Sequence, residues 1–586
     1  MTNKPASIFA SFMTAAITAA VSLSPFAASA QTPGRQAALS EQGPWSVAVL
    51  ASESDGYRIE AYKLDRDLVA WTELNEAKKE RRLYAFDGRK VRLLASMPSG
   101  AWSETAYFYD AVSGSFDAAD GTVAWVASDG HDREIYAWSG EEVFQVSSNG
   151  YDDKHPVVSR GRIAWTSSPG VQPNLMVREP DGRVHKVAQW HVPNYVFSGK
   201  NLFWIERRQD RPSAFQVIAH DGKGRLTAGG NADDKTLANY FVADGEGSVA
   251  WEYYPKWDSE EHEYWHSLNG AKAVKLTRRH IAQHSPRLED VNGPEILLNS
   301  KDWVYSYNQR HLGNSLLKVR YDLQEQTEMR RRELTKARYM SDGYVTHLVS
   351  ETSSPLVMHN GTDSYLSLDI VVHDVFDADG DAAAGGVLGK GVLLYADKKA
   401  TVVPTIRQVR SVAVKNGSAA WIDGGPGKGN LAFASRTVMV RTQSGAKTVG
   451  GRLLKAKDGK TVYLAATDGM RYSFPGEGQF YGWYADFDSV QTVSKASLEK
   501  LPLGGTVLHR AGTRLLKLRT SQTVYAIGKD GVIHPITNDL AAREIAGHKW
   551  KERVDVVNDA RLADYRVGRQ VDGITAYNAE LAGIRF

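Results

Sequence analysis

Val123-Ala124-Trp125 is followed by a second strand-like run and a Gly turn, Ile135-Tyr136-Ala137-Trp138-Ser139-Gly140. The same arrangement recurs along the chain, and its other apolar runs ending in Trp are Leu68–Trp71, Ile163–Trp165, Leu202–Trp204 and Val249–Trp251. A strand-built unit that returns every ~40–50 residues is typical of the blades of a β-propeller. The short apolar runs predict inner blade strands that are buried on both faces between neighbouring blades.

The pattern becomes irregular after residue 300, although Ala419-Ala420-Trp421 returns near the end of the repeat region. We therefore expect a propeller of seven blades, or eight, over residues 44–448. The charged stretch 324–336 and the Gly/Ala-rich stretch 377–391 are candidate insertions. The predicted fold class is mainly β, with two small tandem α+β modules after the propeller.

A second repeat occupies the C-terminal part of the chain. Arg452-Leu453-Leu454-Lys455 recurs at an offset of 62 as Arg514-Leu515-Leu516-Lys517, and later positions such as Val490 and Val554 recur at 64. Each copy predicts two strands joined by an Asp-Gly turn, then a short helix at about 476–484 or 539–547. We expect the modules to span 449–511 and 512–573, followed by a tail, 574–586.

The N-terminus predicts a secretory signal over residues 1–30, followed by a linker, 31–43. Lys4 precedes an apolar run from Ile8 to Leu23, and Ala28-Ser29-Ala30 has the small residues of a cleavage site. An uncleaved anchor is the alternative. Since no second apolar run of this length follows, we expect no transmembrane segment in the mature chain. The expected location is the periplasm, the cell surface or the exterior.

Composition excludes several classes of function. The 586 residues contain no Cys, which rules out disulfides, Cys-based metal sites and thiol nucleophiles. A formal net charge of +3 gives no reason to expect a nucleic-acid partner. At 42% hydrophobic and 24% charged residues, the chain has an ordinary globular composition.

Short acidic connections support the repeat register and carry a family resemblance. Asn149-Gly150-Tyr151-Asp152-Asp153 precedes one Trp-ended strand and continues into His155-Pro156. Residues 68–300 thereby resemble the TolB-like and WD40-like propeller repeats of secreted bacterial proteins. Residues 449–573 resemble tandem modules of surface-layer-like secreted proteins. The resemblances imply a propeller, an extracytoplasmic location and a tendency toward partner binding, but no particular activity.

His262-Glu263-Tyr264-Trp265-His266 spells the H-E-x-x-H motif of zinc proteases. That motif binds one metal when it lies on a helix, because residues four apart then share a face. The repeat register instead predicts a strand here, on which residues four apart are separated by ~13 Å. We therefore interpret the match as accidental.

Acidic residues near the end of the propeller region predict a calcium loop. The four carboxylates are Asp374, Asp377, Asp379 and Asp381, and calcium prefers several oxygen ligands from a tight turn. An acidic surface loop is the alternative. The paired Asp152 and Asp153 are interpreted as turn residues rather than as acid–base or metal groups. No other cofactor is expected.

An aromatic stretch offers a candidate partner-binding surface. Tyr253, Tyr254 and Trp257 lie toward a hairpin connection, where exposed rings can anchor sugars or protein partners. Packing within the hairpin is the alternative.

These patterns predict a secreted, non-catalytic binding or scaffolding protein of the bacterial cell envelope, with a protein or glycan partner. Two alternatives remain open, a polysaccharide lyase or hydrolase built on a propeller and a structural surface-layer component. An enzyme would need His, Asp or Glu groups converging on the central channel. His155, His191, His262 and His284 are the candidates for such a convergence.

Overall fold

The computed structural model describes most of the chain from Arg35 to Tyr577. The described ranges are 35–36, 39–42, 45–88, 90–102, 114–140, 142–170, 173–189, 191–207, 215–230, 236–244, 247–254, 263–275, 287–292, 295–303, 311–320, 326–330, 336–339, 345–348, 354–359, 365–379, 382–387, 390–396, 399–405, 408–415, 417–425, 427–466, 468–484, 487 and 490–577. The predicted signal peptide, most of the linker and the end of the tail lie outside these ranges.

Strands dominate the described chain. The first group is β1 (Arg35–Gln36), β2 (Leu39–Gln42), β3 (Trp45–Ser52), β4 (Tyr57–Asp65), β5 (Leu68–Asn75), β6 (Glu80–Asp87), β7 (Lys90–Pro98), β8 (Phe116–Ala119), β9 (Thr122–Ser128), β10 (Arg133–Trp138), β11 (Val143–Gln145), β12 (Asp153–Ser159), β13 (Arg162–Ser167), β14 (Asn174–Arg178) and β15 (Val184–Gln189). The second group is β16 (His191–Ser198), β17 (Asn201–Arg207), β18 (Phe215–His220), β19 (Arg225–Gly230), β20 (Thr236–Ala243), β21 (Ser248–Tyr254), β22 (Glu263–Leu268), β23 (Val274–Lys275), β24 (Arg287–Asn292), β25 (Glu295–Trp303), β26 (His311–Arg320) and β27 (Gln326–Arg330).

The remaining strands complete the propeller and build the C-terminal modules. They are β28 (Lys336–Tyr339), β29 (Val345–Leu348), β30 (Ser354–His359), β31 (Tyr365–Asp379), β32 (Ala382–Val387), β33 (Gly391–Ala396), β34 (Lys399–Val403), β35 (Val409–Lys415), β36 (Ser418–Asp423), β37 (Asn430–Arg436), β38 (Val438–Thr442), β39 (Gly445–Val449), β40 (Gly451–Ala456), β41 (Val462–Ala466), β42 (Arg471–Ser473), β43 (Gln491–Val493), β44 (Leu503–Val507), β45 (Leu515–Leu518), β46 (Val524–Ile527), β47 (Val532–Pro535), β48 (Val554–Val557) and β49 (Arg566–Val567). The α-helices are α1 (Glu477–Trp483), α2 (Lys495–Glu499) and α3 (Asp539–Ala546), and 3-10 turns cover Ser99–Trp102, Lys529–Gly531, Trp550–Arg553 and Asp559–Asp564.

The strands up to β37 form a β-propeller. Consecutive strands build antiparallel four-stranded sheets, which are β8–β11, β12–β15, β16–β19, β20–β23 and β24–β27. The two ends of the region meet in one sheet, ordered β2-β3-β37-β36-β35, because β3 pairs with β37 and joins Trp45 to Arg436. Strands β28–β34 form one seven-stranded sheet, in which the long strand β31 pairs with both β30 and β32. The number of blades stays a prediction.

The Trp-ended strands form the propeller core, as the sequence predicts. Their Trp side chains are at most 1% exposed, namely Trp71, Trp125, Trp165, Trp204, Trp251 and Trp421. They lie on the second strand of each sheet, however, and not on the innermost one. The first strands, such as β8 and β12, contact one another around the axis. The second strands are the ones sandwiched between sheets, so they carry the continuous apolar runs.

The C-terminal repeat is also a structural repeat. In the first copy, β40 pairs in parallel with β43 and joins Leu454 to Gln491. In the second copy, β45 pairs in parallel with β48 and joins Leu516 to Asp555, which reproduces the sequence offsets of 62 and 64. Helices α1 and α3 coincide with the predicted helical segments. Strands β38 and β39, which the sequence assigned to the propeller, pair within the sheet of the first module.

The junction between β38 and β44 offers a test of the module fold. Gly505 has a φ of +145°, and a Cβ there would lie 1.8 Å from the Arg441 carbonyl oxygen. We expect Gly505→Ala to lower the free energy of unfolding by more than about 1–3 kcal/mol, because the clash adds to backbone strain. Gly445→Ala is the matched control, since its φ of +138° is similar but its Cβ would meet nothing within 4 Å. Equal losses in urea unfolding would contradict the packing described.

Candidate metal centre

The turn between β9 and β10 places two Asp side chains close together. The Oδ1 atom of Asp129 accepts hydrogen bonds from the backbone N–H groups of His131 at 2.9 Å and Asp132 at 3.3 Å. This side-chain-to-backbone turn is typical of Asp at the start of a tight connection. Gly130 supplies the positive φ of +106°, and a Cβ there would meet only open space. The turn therefore presents Asp129 and Asp132 at the tip of the hairpin.

Glu134 adds a third carboxylate from β10. It lies two residues after Asp132 and therefore on the same face of the strand. Its side chain is fully buried, and it accepts hydrogen bonds from Ser147 Oγ and from the Asn149 backbone N–H, each at 2.5 Å. Carboxylate oxygens of Asp129, Asp132 and Glu134 all lie within 4.8 Å of one another. Among the described residues, this is the one group of three or more His, Asp or Glu side chains close enough to hold a metal ion.

Asp153, at the start of β12 in the next sheet, lies near this cluster, because Asn149 Nδ2 donates hydrogen bonds to both Asp153 and Glu134. It is fully buried, and its Oδ2 atom accepts hydrogen bonds from Trp165 Nε1 at 3.0 Å and Asn149 Nδ2 at 2.9 Å. Its Oδ1 atom is also buried but has no hydrogen-bond partner among the described residues, and the same holds for Asp132 Oδ1. A buried carboxylate oxygen without a donor is costly unless a cation binds it.

The carboxylates repel one another. Burial, with repulsion from Asp153 and Asp132, raises the pKa of Glu134 to about 7, against the hydrogen bonds from Ser147 and Asn149. Burial and then the charges of Asp129, Asp152 and Asp153 raise the pKa of Asp132. Lys154 lies 3.4 Å from Asp152 and compensates that outer carboxylate. Repulsion among the carboxylates therefore contributes to the raised pKa of both Glu134 and Asp132.

The donor set determines which metal would fit. All of the candidate ligands are carboxylate oxygens, which hard cations such as Ca²⁺ and Mg²⁺ prefer. Ca²⁺ accepts an irregular set of six to eight oxygens, whereas Mg²⁺ demands a near-octahedral one. Carboxylates drawn from a turn, a strand and an inter-sheet connection suit the more tolerant ion.

This cluster was not predicted from the sequence. The sequence pattern predicted turn roles for Asp152 and Asp153 and no role for Asp129, Asp132 or Glu134. A usable signal was present, because three acidic residues within six positions follow a Trp-ended strand and precede an Asp-Asp connection. What the sequence could not show is that Asp153 leaves one oxygen unpaired beside Glu134.

The predicted calcium residues lie elsewhere. Asp374, Asp377 and Asp379 belong to β31, and Asp381 lies outside the described residues. Asp377 accepts a hydrogen bond from the Val414 backbone N–H at 2.9 Å, and Asp379 lies 3.8 Å from Lys415 Nζ. The side chain of Asp374 is not described. Two of the four carboxylates thus contact β35, and calcium binding there remains a prediction.

The predicted aromatic surface is described only in part. Tyr253 and Tyr254 lie on β21, although their side chains are not described, and Trp257 lies outside the described residues. Of the H-E-x-x-H motif, Glu263 to His266 lie on β22, which confirms the predicted strand. His266 is fully buried and contacts Ser248 Oγ through Nε2.

The described residues do not show whether the four candidate channel histidines lie close together. His262 and His284 lie outside the described residues, and the side chain of His191 is not described. His155 has a φ of +55° at a bulge of β12, and burial lowers its pKa. Convergence on the channel therefore stays untested.

Comparisons with known proteins find likeness in structure alone. No protein-family profile matches the chain, and no curated protein sequence matches it significantly. A prolyl endopeptidase structure is 10% identical with a TM-score of 0.36, covering 72% of this chain and 54% of its own. An acylaminoacyl peptidase is 8% identical with a TM-score of 0.31, covering 57% of this chain and 59% of its own. The propeller domain of the trilobed protease from Pyrococcus furiosus is 10% identical with a TM-score of 0.30, covering 50% of this chain and 95% of its own.

These comparisons correct the functional prediction. The expected non-catalytic binding or scaffolding protein is contradicted, because a prolyl endopeptidase and an acylaminoacyl peptidase stand among the similar structures. The chain spans 54% and 59% of these two peptidase chains. At 8–10% identity the likeness describes the fold, so no peptidase activity is assigned to this chain. Within the described part of the chain, no helix is both long and apolar enough to cross a membrane.

Proposed function

We propose that this chain is a secreted, calcium-binding β-propeller protein. In this proposal one Ca²⁺ ion joins the β9–β10 turn to the connection that enters β12. The observation that carries it is the pair of buried, unpaired oxygens, Asp132 Oδ1 and Asp153 Oδ1, beside the fully buried Glu134. A divalent cation would supply both the missing partner and the missing positive charge.

The ion would have a structural effect on the propeller. Asp129, Asp132 and Glu134 belong to the sheet of β8–β11, whereas Asp153 begins the sheet of β12–β15. A shared ion therefore fastens two neighbouring sheets at the end where the hairpin turn lies. The predicted signal peptide supports this function, because calcium sites of extracellular modules commonly work with a Kd of about 10⁻⁴–10⁻³ M.

Terbium luminescence tests the proposal directly. Tb³⁺ replaces Ca²⁺ at oxygen sites, and Trp165 donates its indole N–H to Asp153, so it lies close enough to sensitise the lanthanide. We expect Trp-excited Tb³⁺ emission from the purified protein that millimolar Ca²⁺ displaces. Asp132→Asn should weaken binding at least about tenfold, because a charged ligand is removed.

Asp181→Asn serves as the control for this experiment. Asp181 occupies another hairpin turn and accepts a hydrogen bond from the Arg183 backbone N–H at 3.0 Å, without belonging to the carboxylate cluster. It should leave the Tb³⁺ affinity unchanged. Emission that Ca²⁺ does not displace, or an equal loss in both variants, would rule out the proposed site.

A further inference from the structure

A buried carboxylate lies where the propeller meets the first C-terminal module. Asp67 belongs to the turn between β4 and β5, and it is 8% exposed. Ser418 Oγ donates a hydrogen bond to its Oδ1 atom at 3.3 Å. The neighbouring turn at Gly88 packs against it, since a Cβ at Gly88 would lie 3.2 Å from Asp67 Cβ. The described residues provide Asp67 with this one long hydrogen bond and no ion pair within 4 Å.

The first module covers this turn. Arg452 on β40 is the strongest charge acting on Asp67. The charge of Asp67 in turn helps to raise the pKa of Tyr484, which follows α1. The β8–β9 turn of the neighbouring propeller sheet lies close to the same module, because a Cβ at Gly121 would lie 3.3 Å from Gln491 Nε2. The module is therefore seated on the end of the propeller that carries the β4–β5 and β8–β9 turns.

The charges that face Asp67 come from both sides of this junction. Its own turn contributes Asp65, which repels it, and Arg66, which attracts it. The module contributes Arg452, and Arg436 lies near enough to act on Tyr484. In the adjoining turn, Asp87 lies 3.5 Å from Arg92, so that carboxylate has its own cation. Asp67 is thus buried with one hydrogen bond, from Ser418, but without a cation of its own among the described residues.

We propose that this junction is a pH-sensitive docking contact, in which the module binds the propeller more tightly when Asp67 is protonated than when it is ionised. The inference is independent of the proposed calcium site. A neutral carboxyl can be buried there with its hydrogen bond, whereas a carboxylate must give up water without gaining an ion pair.

The direction of the pH effect follows from the same burial. Burial raises the pKa of Asp67 to about 7 from an ordinary value of 3.8, against the attraction of Arg452, Ser418 and Arg66. Once the module moves away and water enters, the pKa returns toward its ordinary value. Docking therefore binds a proton, so it is strongest below pH ~4, weakens as pH rises through 7, and is constant above that.

Hydrogen exchange of the full chain tests this inference. Exchange of the amides of Gly451–Ala456 is compared between the wild type and Asp67→Asn at pH 5 and at pH 8, so that intrinsic exchange cancels at each pH. We expect the ratio of protection in the variant to protection in the wild type to be at least about tenfold larger at pH 8 than at pH 5, because the wild type loses docking strength between these pH values. Strand β46, which lies in the second module, is the internal control and should show no such difference.

A second variant keeps the test decisive if Asp67→Asn does not fold. Arg452→Met removes the attracting charge, so protection of Gly451–Ala456 should fall below that of the wild type at pH 8 and match it at pH 5. If the ratio of amide protection in the variant to amide protection in the wild type is the same at pH 5 and at pH 8, the inference is overturned.

Discussion

Glu134→Gln should make the protein more stable than the wild type without calcium and less stable with it. In the metal-free state the substitution removes a buried charge that Asp132 and Asp153 repel. In the calcium-bound state it removes a ligand. A ligand that binds only the folded state at 100 times its Kd adds about 2.7 kcal/mol, and the variant should lose most of this gain. Thermal unfolding in a chelator and in excess calcium measures both states.

Glu73→Gln is the matched control for this change in the sign of the stability effect between the metal-free and the calcium-bound protein. Glu73 accepts the indole N–H of Trp71 at 3.1 Å, and burial raises its pKa as it does that of Glu134. It has no part in the carboxylate cluster, so calcium should stabilise this variant and the wild type equally. A Glu134→Gln protein that responds to calcium like the wild type would contradict the assignment of Glu134 as a ligand.

Arg162→Met should lower the free energy of unfolding by about 3–5 kcal/mol, which is the usual cost of leaving a buried charge without its partner. Arg162 is bidentate to Glu179, with distances of 2.9 Å and 3.1 Å, and both side chains are almost fully buried. Its Nη1 atom also donates to the Lys200 carbonyl oxygen at 2.8 Å. The guanidinium therefore connects the β12–β15 sheet to the β16–β17 turn, which Met cannot do.

Arg58→Met provides the comparison in urea unfolding. Arg58 also pairs with a carboxylate at 3.1 Å, that of Glu76, but their side chains are 49% and 75% exposed. Exposed pairs contribute about 0–1 kcal/mol, so this variant should unfold near the wild-type midpoint. Similar losses in the two variants would show that burial of the Arg162 pair is not the source of its effect.

Local patterns carried most of the fold prediction. A run such as Val123-Ala124-Trp125 fixes a strand buried on both faces, and the repeated Asp-Gly and Asn-Gly turns fix the hairpins that follow. The C-terminal repeat predicted that its two copies fold alike, and the offsets of 62 and 64 recur in the pairing of Leu454 and Leu516, but the parallel pairing itself was not predicted. The position of the Trp-ended strands within each sheet was not predictable. Strand order depends on pairs such as β3 with β37, whose residues are far apart in sequence.

The sequence by itself determined a β-propeller followed by a duplicated module, since both follow from periodic burial and local turn chemistry. The tertiary structure alone decided which charged groups meet. Asp153 acts on Glu134 because two sheets pack side by side, and Asp67 feels the charge of Arg452 because a module is seated beside its turn. Carboxylate chemistry depends on the water and the charges within a few ångströms, and these are set by packing between segments that the sequence pattern does not relate.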